Sequence, residues 1–200
     1  GEPHYHGSET MNDLELYKKK VNRIYDVLLP TTGYLKFEEE MKKILPKLPQ
    51  EKMSSQRLIS LIGPHIKDKN SIVRAAYEKK IPIFCPSLAD SILGFQVWMY
   101  QQDHQLDVNP LLDQKEMLNL VWDNKKVGAI ILGGGVPKHY VALAAQVTGK
   151  GLDYGIQITM DRPEYGGVSG APLQEAKSWG KLAPNALATT LMCDVTIAFP

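Results

Sequence analysis

Two patterns of hydrophobic and polar residues divide this chain near Lys80. Before that point, apolar residues recur at helical spacing, clearly so over residues 35–48 and again over 58–62. Residues 14–29 show a mixed pattern that is also compatible with a helix. We therefore expect residues 1–80 to be helical or irregular.

After Lys80, short apolar runs alternate with helical patterns. The runs predict four strands, at Ile81–Ser87, Ala129–Leu132, Tyr154–Met160 and Thr190–Phe199. Two helical patterns lie between the first and second strands, and one helical pattern follows each of the second and third strands. Strands that are apolar throughout and are joined by helices are typical of a parallel sheet covered on both faces. The predicted fold class is therefore α/β, with a doubly wound, mostly parallel sheet that starts midway along the chain.

A glycine-rich turn follows the second predicted strand. It contains Gly133, Gly134 and Gly135, and Pro137 begins the helix after it. Glycine lets a ligand approach the backbone closely, and the start of a helix presents N–H groups to a phosphate. Lys138 and His139 lie at the same end of that helix, where we expect them to face the ligand. The alternative is a tight turn that binds nothing, and three glycines alone favour it.

The segment Ser169–Lys181, SGAPLQEAKSWGK, contains a second group of candidate residues. Its predicted helix, Leu173–Trp179, carries Glu175 and Trp179 four positions apart, and therefore on one face. A glycine ends this helix and leaves Lys181 exposed beyond it. A lysine beside an indole becomes nucleophilic when burial disfavours its ammonium form. Alternatively, Glu175 is a surface residue and Trp179 belongs to the core.

These candidate residues are expected to meet at one edge of the sheet. Ligands of such sheets bind at the carboxyl ends of the strands. We expect Asp90, the glycine turn, the loop 161–170 and Asp194 to border one crevice there. Asp194 lies inside the predicted last strand rather than after it.

Composition narrows the classes of function. The 200 residues carry a net charge of +1, which gives no reason to expect nucleic acid as a partner. Apolar residues make up 44% of the chain, but no apolar run has the length of a membrane span. Two cysteines lie in predicted strands, and His4 and His6 have no third ligand near them, so we expect no metal site. The polar start does not resemble a signal peptide, and a cytoplasmic location follows by default.

The chain resembles the deoxyhypusine synthase family. The resemblance is carried by NRIYDVLLP, KFEEEM, IPIFCPSLAD, GAIILGGGVPKH and EAKSWGK, which are spread over nearly the whole sequence. It implies a Rossmann-like NAD-binding fold and an enzyme that oxidises a polyamine such as spermidine with NAD. It also implies that an aminobutyl group passes, through a lysine imine, to a lysine of translation initiation factor 5A. The family forms tetramers with active sites between subunits.

The resemblance assigns roles to particular residues. It places the imine-forming lysine at Lys181, with His139 and Glu175 as further catalytic groups and Trp179 beside the amine. Oxidation of an amine needs a base near the amine carbon, and histidine is the side chain that ordinarily titrates near neutral pH. The residue chemistry therefore agrees with the family assignment.

The resemblance also implies an NAD site. It matches the family's NAD-binding glycines to Gly133, Gly134 and Gly135 and its ribose-binding aspartates to Asp90 and Asp194. The family's chains begin with a segment that supplies the first strands and part of this site, and the present sequence starts after it. We therefore expect residues 1–80 and 81–200 to form one domain, completed by a missing or separate N-terminal segment in a homo- or hetero-tetramer.

Three positions depart from the family pattern. Phe95 and Val168 stand where the family has acidic residues, and Leu143 stands where it has an asparagine. These family residues hold the amino groups of the polyamine, and a closed pocket without carboxylates disfavours a cation. Either the substrate is another amine, or carboxylates such as Asp161 or Glu164 replace the lost ones.

Three functions therefore remain open. The first is NAD-dependent aminobutyl transfer to translation initiation factor 5A. The second keeps this chemistry with a small amine as acceptor, as in homospermidine synthesis, or with agmatine as donor. The third is a non-catalytic paralogue that regulates a catalytic partner. The presence of Lys181, His139 and Glu175 argues against the third.

Overall fold

The computed structural model describes residues 4–199 and places them in two compact units. Each unit combines several stretches of the chain. The first contains residues 4–53, 57–83 and 89–108, and the second contains residues 54–56, 84–88 and 109–199. Within residues 4–199, no helix has both the length and the apolar character that crossing a bilayer requires.

A small antiparallel sheet replaces most of the helix predicted for residues 14–29. Helix α1 (Asp13–Lys18) is followed by a hairpin of β2 (Val21–Ile24) and β3 (Val27–Pro30), and β1 (Tyr5–His6) pairs with the other edge of β3. Lys20 has a φ of +56°, which ends the helix. The helical prediction was wrong beyond α1 because the valines and isoleucine of this stretch favour strands.

Four further helices follow along the chain: α2 (Thr32–Ile44), α3 (Ser55–Ile62), α4 (Ile72–Glu78) and α5 (Ile92–Gln101). The helices predicted over residues 35–48 and 58–62 are confirmed as α2, with a 3-10 turn after it, and as α3. The core of the first unit consists of buried apolar side chains: Met41, Ile44, Leu45, Leu48, Met53, Leu58, Ile62, Val97 and Leu106.

The second unit is built on a parallel sheet. Its strands are β4 (Gly128–Leu132), β5 (Leu152–Thr159) and β6 (Leu182–Met192), in the order β4-β5-β6. Its helices are α6 (Asp113–Trp122), α7 (Val136–Val147) and the short α8 (Val195–Ala198). The core packs α6 and α7 against the sheet through Met117, Val121, Ile131, Ala144, Ala145, Leu152, Leu173, Leu182 and Ala186. The predicted α/β class with a parallel sheet is confirmed.

Two of the predicted strands were wrong. Residues 81–87 form no strand, because Pro82 and Pro86 have no N–H to donate to a ladder. The last strand is β6 rather than Thr190–Phe199, so it begins and ends earlier than expected. Neither cysteine lies in a strand. The pairing of β6 with β5 shifts register between Leu152 and Tyr154, which admits the irregular sequence at the start of β6.

Candidate active site

The glycine turn joins β4 to α7 with a backbone that only glycine adopts readily. Gly133 and Gly135 have φ values of +77° and +76°. The Gly133 N–H donates to the Ile158 carbonyl at 2.8 Å, which ties the turn to β5. A Cβ on Gly134 would lie 2.5 Å from Ser169 Cα, so this residue is needed for close packing. A Cβ on Gly133 or Gly135, in contrast, would have no heavy atom of residues 4–199 within 4 Å, apart from the glycine itself and its chain neighbours.

A cavity of about 390 Å³ lies beside the first turns of α7. It is lined by α7, by the loop before Leu173 and by the segment that leads into β6. Its lining residues are Lys138, His139, Ala142, Gly166, Gly167, Val168, Ala171, Pro172, Leu173, Glu175, Ala176, Trp179 and Lys181. The structure therefore brings together four of the predicted site residues, His139, Glu175, Trp179 and Lys181.

Lys181 approaches two of these residues closely. Its Nζ lies 3.3 Å from Nδ1 of His139 and 5.2 Å from the centroid of the Trp179 ring. The backbone of Lys181 is fixed on both sides, since its N–H donates to the Ala176 carbonyl and its carbonyl accepts from Leu152 N–H. Lys181 is half-buried, whereas Trp179 is 66% exposed. The geometry permits direct proton transfer between an amine and an imidazole.

Glu175 and Trp179 reach the cavity without the helix predicted for Leu173–Trp179. The segment forms a 3-10 helix over Leu173–Lys177 and then a turn, so the predicted α-helix was wrong. Gly180, with a φ of +69°, turns the chain towards Lys181. Both side chains still line one cavity, because the turn carries Trp179 back over it.

Lys138 lines the cavity, but its ammonium is already bonded within the protein. The side chain is 8% exposed, and its Nζ donates to Gln157 Oε1 at 2.9 Å, Val168 O at 2.9 Å and Ala171 O at 2.7 Å. Burial lowers the pKa of Lys138, the charge of Glu175 raises it, and that of Lys181 lowers it further. Lys138 therefore supports the wall of the cavity, and its contact with a ligand stays a prediction.

Gln157 is a site residue that the sequence reasoning missed. It is fully buried in β5, and its Nε2 donates to Gly133 O at 3.1 Å and to Ser169 O at 2.8 Å. A single amide side chain thus contacts both the glycine turn and the loop over the cavity. The available signal was an amide side chain between two isoleucines of the predicted strand, Ile156 and Ile158.

The two predicted ribose-binding aspartates have different surroundings. Asp194 follows β6 and caps α8, where its Oδ1 accepts from Thr196 N at 2.8 Å and from Thr196 Oγ1 at 2.6 Å. These hydrogen bonds lower the pKa of Asp194. It therefore lies beyond the strand, at the same sheet edge as the glycine turn. Asp90 lies in a 3-10 turn of the first unit, and its contact with a nucleotide stays a prediction.

The departures from the family pattern fall in different places. Val168 is half-exposed and lines the cavity, and Leu143 is half-buried on α7. Phe95 lies on α5 in the first unit, with its ring 5.6 Å from that of Trp98. Asp161, a candidate replacement carboxylate, accepts a short hydrogen bond from the Ser169 hydroxyl. Among residues 4–199, no three His, Cys, Asp or Glu side chains are grouped so that they could hold a metal ion.

Comparison with known proteins identifies relatives of this chain. The family model for deoxyhypusine synthase matches residues 1–200. A relative from Methanosarcina acetivorans, described as a probable deoxyhypusine synthase 1, is 43% identical over 98% of this chain and 62% of its own length. Another from Methanothermobacter thermautotrophicus, described as a probable deoxyhypusine synthase, is 42% identical over 94% of this chain and 62% of its own. The chain thus spans less than two thirds of these relatives.

One solved structure supports the fold. A protein from Entamoeba histolytica, described as a deoxyhypusine synthase, superposes with a TM-score of 0.58 over 84% of this chain and 52% of its own. The two sequences are 19% identical in that comparison. The likeness agrees with the predicted Rossmann-like α/β fold, of which this chain contains a part.

Proposed function

Since the chain belongs to the deoxyhypusine synthase family, we propose that it supplies the amine-handling part of an NAD-dependent aminobutyl transferase. Its donor is spermidine or a related polyamine, and its acceptor is a lysine of translation initiation factor 5A. The observation that carries this proposal is the 3.3 Å separation between Lys181 Nζ and His139 Nδ1. A nucleophilic lysine needs a neutral amine, and an imidazole within hydrogen-bond distance can accept its proton.

The proposed reaction uses Lys181 as a temporary carrier. NAD, when bound, would supply the redox chemistry: it would take a hydride from the carbon next to a substrate nitrogen, which gives an imine, and return it at the end. Lys181 Nζ, after passing a proton to His139, attacks the imine carbon. The departing amine leaves with a proton, and the aminobutyl group remains on Lys181 as an imine. Exchange with the acceptor lysine then frees Lys181, and the returned hydride reduces the new imine to the aminobutyl amine.

Glu175 and Trp179 hold the substrate in this proposal. Glu175 is the single carboxylate among the cavity residues, so it pairs with one substrate ammonium. The exposed indole of Trp179 offers a face to a second cation or to the butyl chain. Together they orient the carbon that Lys181 attacks.

Two features support an NAD site at the glycine turn. The backbone at Gly133 and Gly135 is open to an approaching ligand, and the positive end of the 12-residue helix α7 follows directly. Gly134 keeps the turn pressed against Ser169. Asp194, at the same sheet edge, would meet a ribose hydroxyl in this proposal, and the role of Asp90 rests on the resemblance alone.

The assembly follows from the same resemblance. We expect a cytoplasmic homo- or hetero-tetramer in which the remaining part of the family's chain completes the NAD site. A second candidate function, with a small amine as acceptor or agmatine as donor, is favoured by Val168, because this apolar side chain lines the cavity where the family has a carboxylate.

The test is trapping of the lysine imine. The native assembly is incubated with NAD and spermidine, reduced with borohydride and analysed by intact-mass and peptide mass spectrometry. We expect an aminobutyl adduct on Lys181 that is absent in Lys181→Arg and unchanged in the control Lys177→Arg, whose lysine donates to the Pro184 carbonyl. Agmatine in place of spermidine separates the two candidate donors. An unmodified Lys181 with both donors would overturn the transferase and favour a non-catalytic regulatory paralogue.

A further inference from the structure

Lys138 and Gln157 form a buried polar cluster whose connections extend beyond the cavity. We call the two side chains the Lys138–Gln157 cluster. The ammonium of Lys138 has three N–H donors, and they meet one amide oxygen and two carbonyls of the loop, Val168 O and Ala171 O. Both N–H groups of Gln157 are also used, on Gly133 O and Ser169 O. The cluster is therefore saturated with hydrogen bonds.

The partners of this cluster belong to two different regions. Gly133 is part of the glycine turn, whereas Val168 and Ala171 line the cavity around Lys181. A direct contact adds to these hydrogen bonds, since Gly134 packs against Ser169. The loop 161–171 is thus held to the turn by side-chain hydrogen bonds and by close backbone packing.

The chemistry of the cluster favours a connecting role over a catalytic one. A buried ammonium is ordinarily paired with a carboxylate, but Lys138 donates to neutral oxygens only. Burial lowers the pKa of Lys138, and these neutral oxygens offer no opposite charge to offset it. Its Nζ has no donor left for a substrate. Removing either side chain would leave part-buried carbonyls without these donors and loosen the loop.

We propose that Lys138 and Gln157 are positioning residues that fix the wall of the amine cavity to the glycine turn, so that nucleotide and amine binding are coupled. The coupling of nucleotide binding to amine binding rests on the proposed function. The attachment of the loop to the glycine turn does not, because it rests on the hydrogen bonds described above. By thermodynamic reciprocity, a ligand that orders the turn also favours the amine-binding form of the loop.

The experiment is hydrogen–deuterium exchange on the native assembly, followed by mass spectrometry, for two variants and one control. Lys138→Met and Gln157→Met keep the side-chain length and remove the donors. Lys150→Met is the matched control, because Lys150 also donates to three backbone carbonyls, those of Val121, Trp122 and Asn124, away from the cavity. We expect exchange over residues 161–171 to rise roughly tenfold or more in Lys138→Met, as for lost hydrogen bonds from a charged donor, and roughly severalfold in Gln157→Met, as for neutral ones.

NAD provides the second arm of the test. In the unsubstituted protein, NAD is expected to slow exchange both at the glycine turn and over residues 166–171. In Lys138→Met, NAD should slow exchange at the glycine turn but not over residues 166–171. Equal protection of the loop in both proteins, or unchanged loop exchange without NAD, would overturn the proposal. If NAD binds nowhere, the proposed nucleotide site fails, and the exchange without NAD still decides the role of the cluster.

A third readout separates positioning from general loss of structure. The spermidine concentration for half-maximal trapping on Lys181 should rise severalfold in Lys138→Met and stay unchanged in Lys150→Met. Partial unfolding would instead lower the maximal amount trapped at an unchanged half-saturation. If Lys138→Met does not fold, Gln157→Met carries the same comparison, since it leaves the Lys138 bonds to Val168 O and Ala171 O in place.

Discussion

Among single residues, Gly134 is the one in the glycine turn with the least space around it. A methyl group there would meet the Ser169 backbone at 2.5 Å, closer than real Cβ contacts allow. Gly133 and Gly135 are constrained instead by their positive φ values. The three glycines therefore serve different purposes: Gly134 allows close packing, whereas Gly133 and Gly135 leave room for a ligand.

Gly134→Ala should destabilise the protein. The loop or the turn must shift to admit the methyl group, and overpacking of this kind costs about 1–3 kcal/mol of unfolding free energy. Gly167→Ala is the control, because a Cβ there would make ordinary contacts of 3.8 Å with Asp161 and Ser169 side chains. Urea denaturation of both variants measures the difference. Equal stability of the two would show that the turn is not packed against the loop.

At the scale of elements, the carboxylate of Asp113, which is far from α3 in the sequence, accepts hydrogen bonds from the first turn of α3. Asp113, which is 1% exposed, accepts from Ser55 N at 3.2 Å, Ser55 Oγ at 2.5 Å and Gln56 N at 3.0 Å. These bonds satisfy N–H groups that a helix start leaves unpaired. Asp113 is also the first residue of α6, so one side chain joins two helices.

Asp113→Ala should therefore lower the free energy of unfolding by more than the removal of an ordinary helix cap does. We expect a loss of roughly 2–4 kcal/mol, because hydrogen bonds to a buried charge contribute about 1.5–3 kcal/mol and a cap about 1 kcal/mol. Asn109→Ala is the comparison, since Asn109 caps a 3-10 turn through one bond to Leu111 N at 3.0 Å. Thermal unfolding followed by circular dichroism measures both. A smaller loss for Asp113→Ala than for Asn109→Ala would contradict this account.

The elements themselves were predictable to different extents. The turn before α7 was predicted from Pro137 and the three glycines, because these residues restrict the backbone locally. The start of β6 was missed because Pro184 and Asn185 are unusual in a strand, and only the register shift against β5 accommodates them. The β2–β3 hairpin was missed because its strands have four residues each, too few to show a clear alternation of apolar and polar positions.

At the scale of the whole molecule, the candidate site joins residues that the sequence separates. Lys181 and His139 are 42 positions apart but lie in one cavity, and the family resemblance had associated them. The hydrogen bonds of Lys138 were not predictable, although Lys138 and His139 line the same cavity. These bonds depend on where the loop 161–171 places its carbonyls, which is a property of the tertiary fold.

Global stability should depend on pH through Glu116. Burial raises the pKa of Glu116, and the charge of Asp113 raises it further. The folded state then binds more protons than the unfolded state between pH 4.5 and the raised pKa, so the free energy of unfolding falls as pH rises through that window. Above the window the charged carboxylate opposes folding. Below it the group is neutral in both states and contributes nothing.

Glu116→Gln should therefore stabilise the protein at pH 7, and the gain should disappear as pH falls below 4.5. Burial raises the pKa of the half-buried Tyr140, and the charges of Asp113 and Glu116 raise it further, so the substitution also weakens the loss of stability above pH 10. Glu39→Gln, on the exposed side of α2, controls for the change in net charge. Urea denaturation from pH 4 to pH 11 measures the three proteins. A gain in stability for Glu116→Gln that is independent of pH would contradict this account. It would mean that the glutamine packs better than the glutamate and that the charge of Glu116 has no effect.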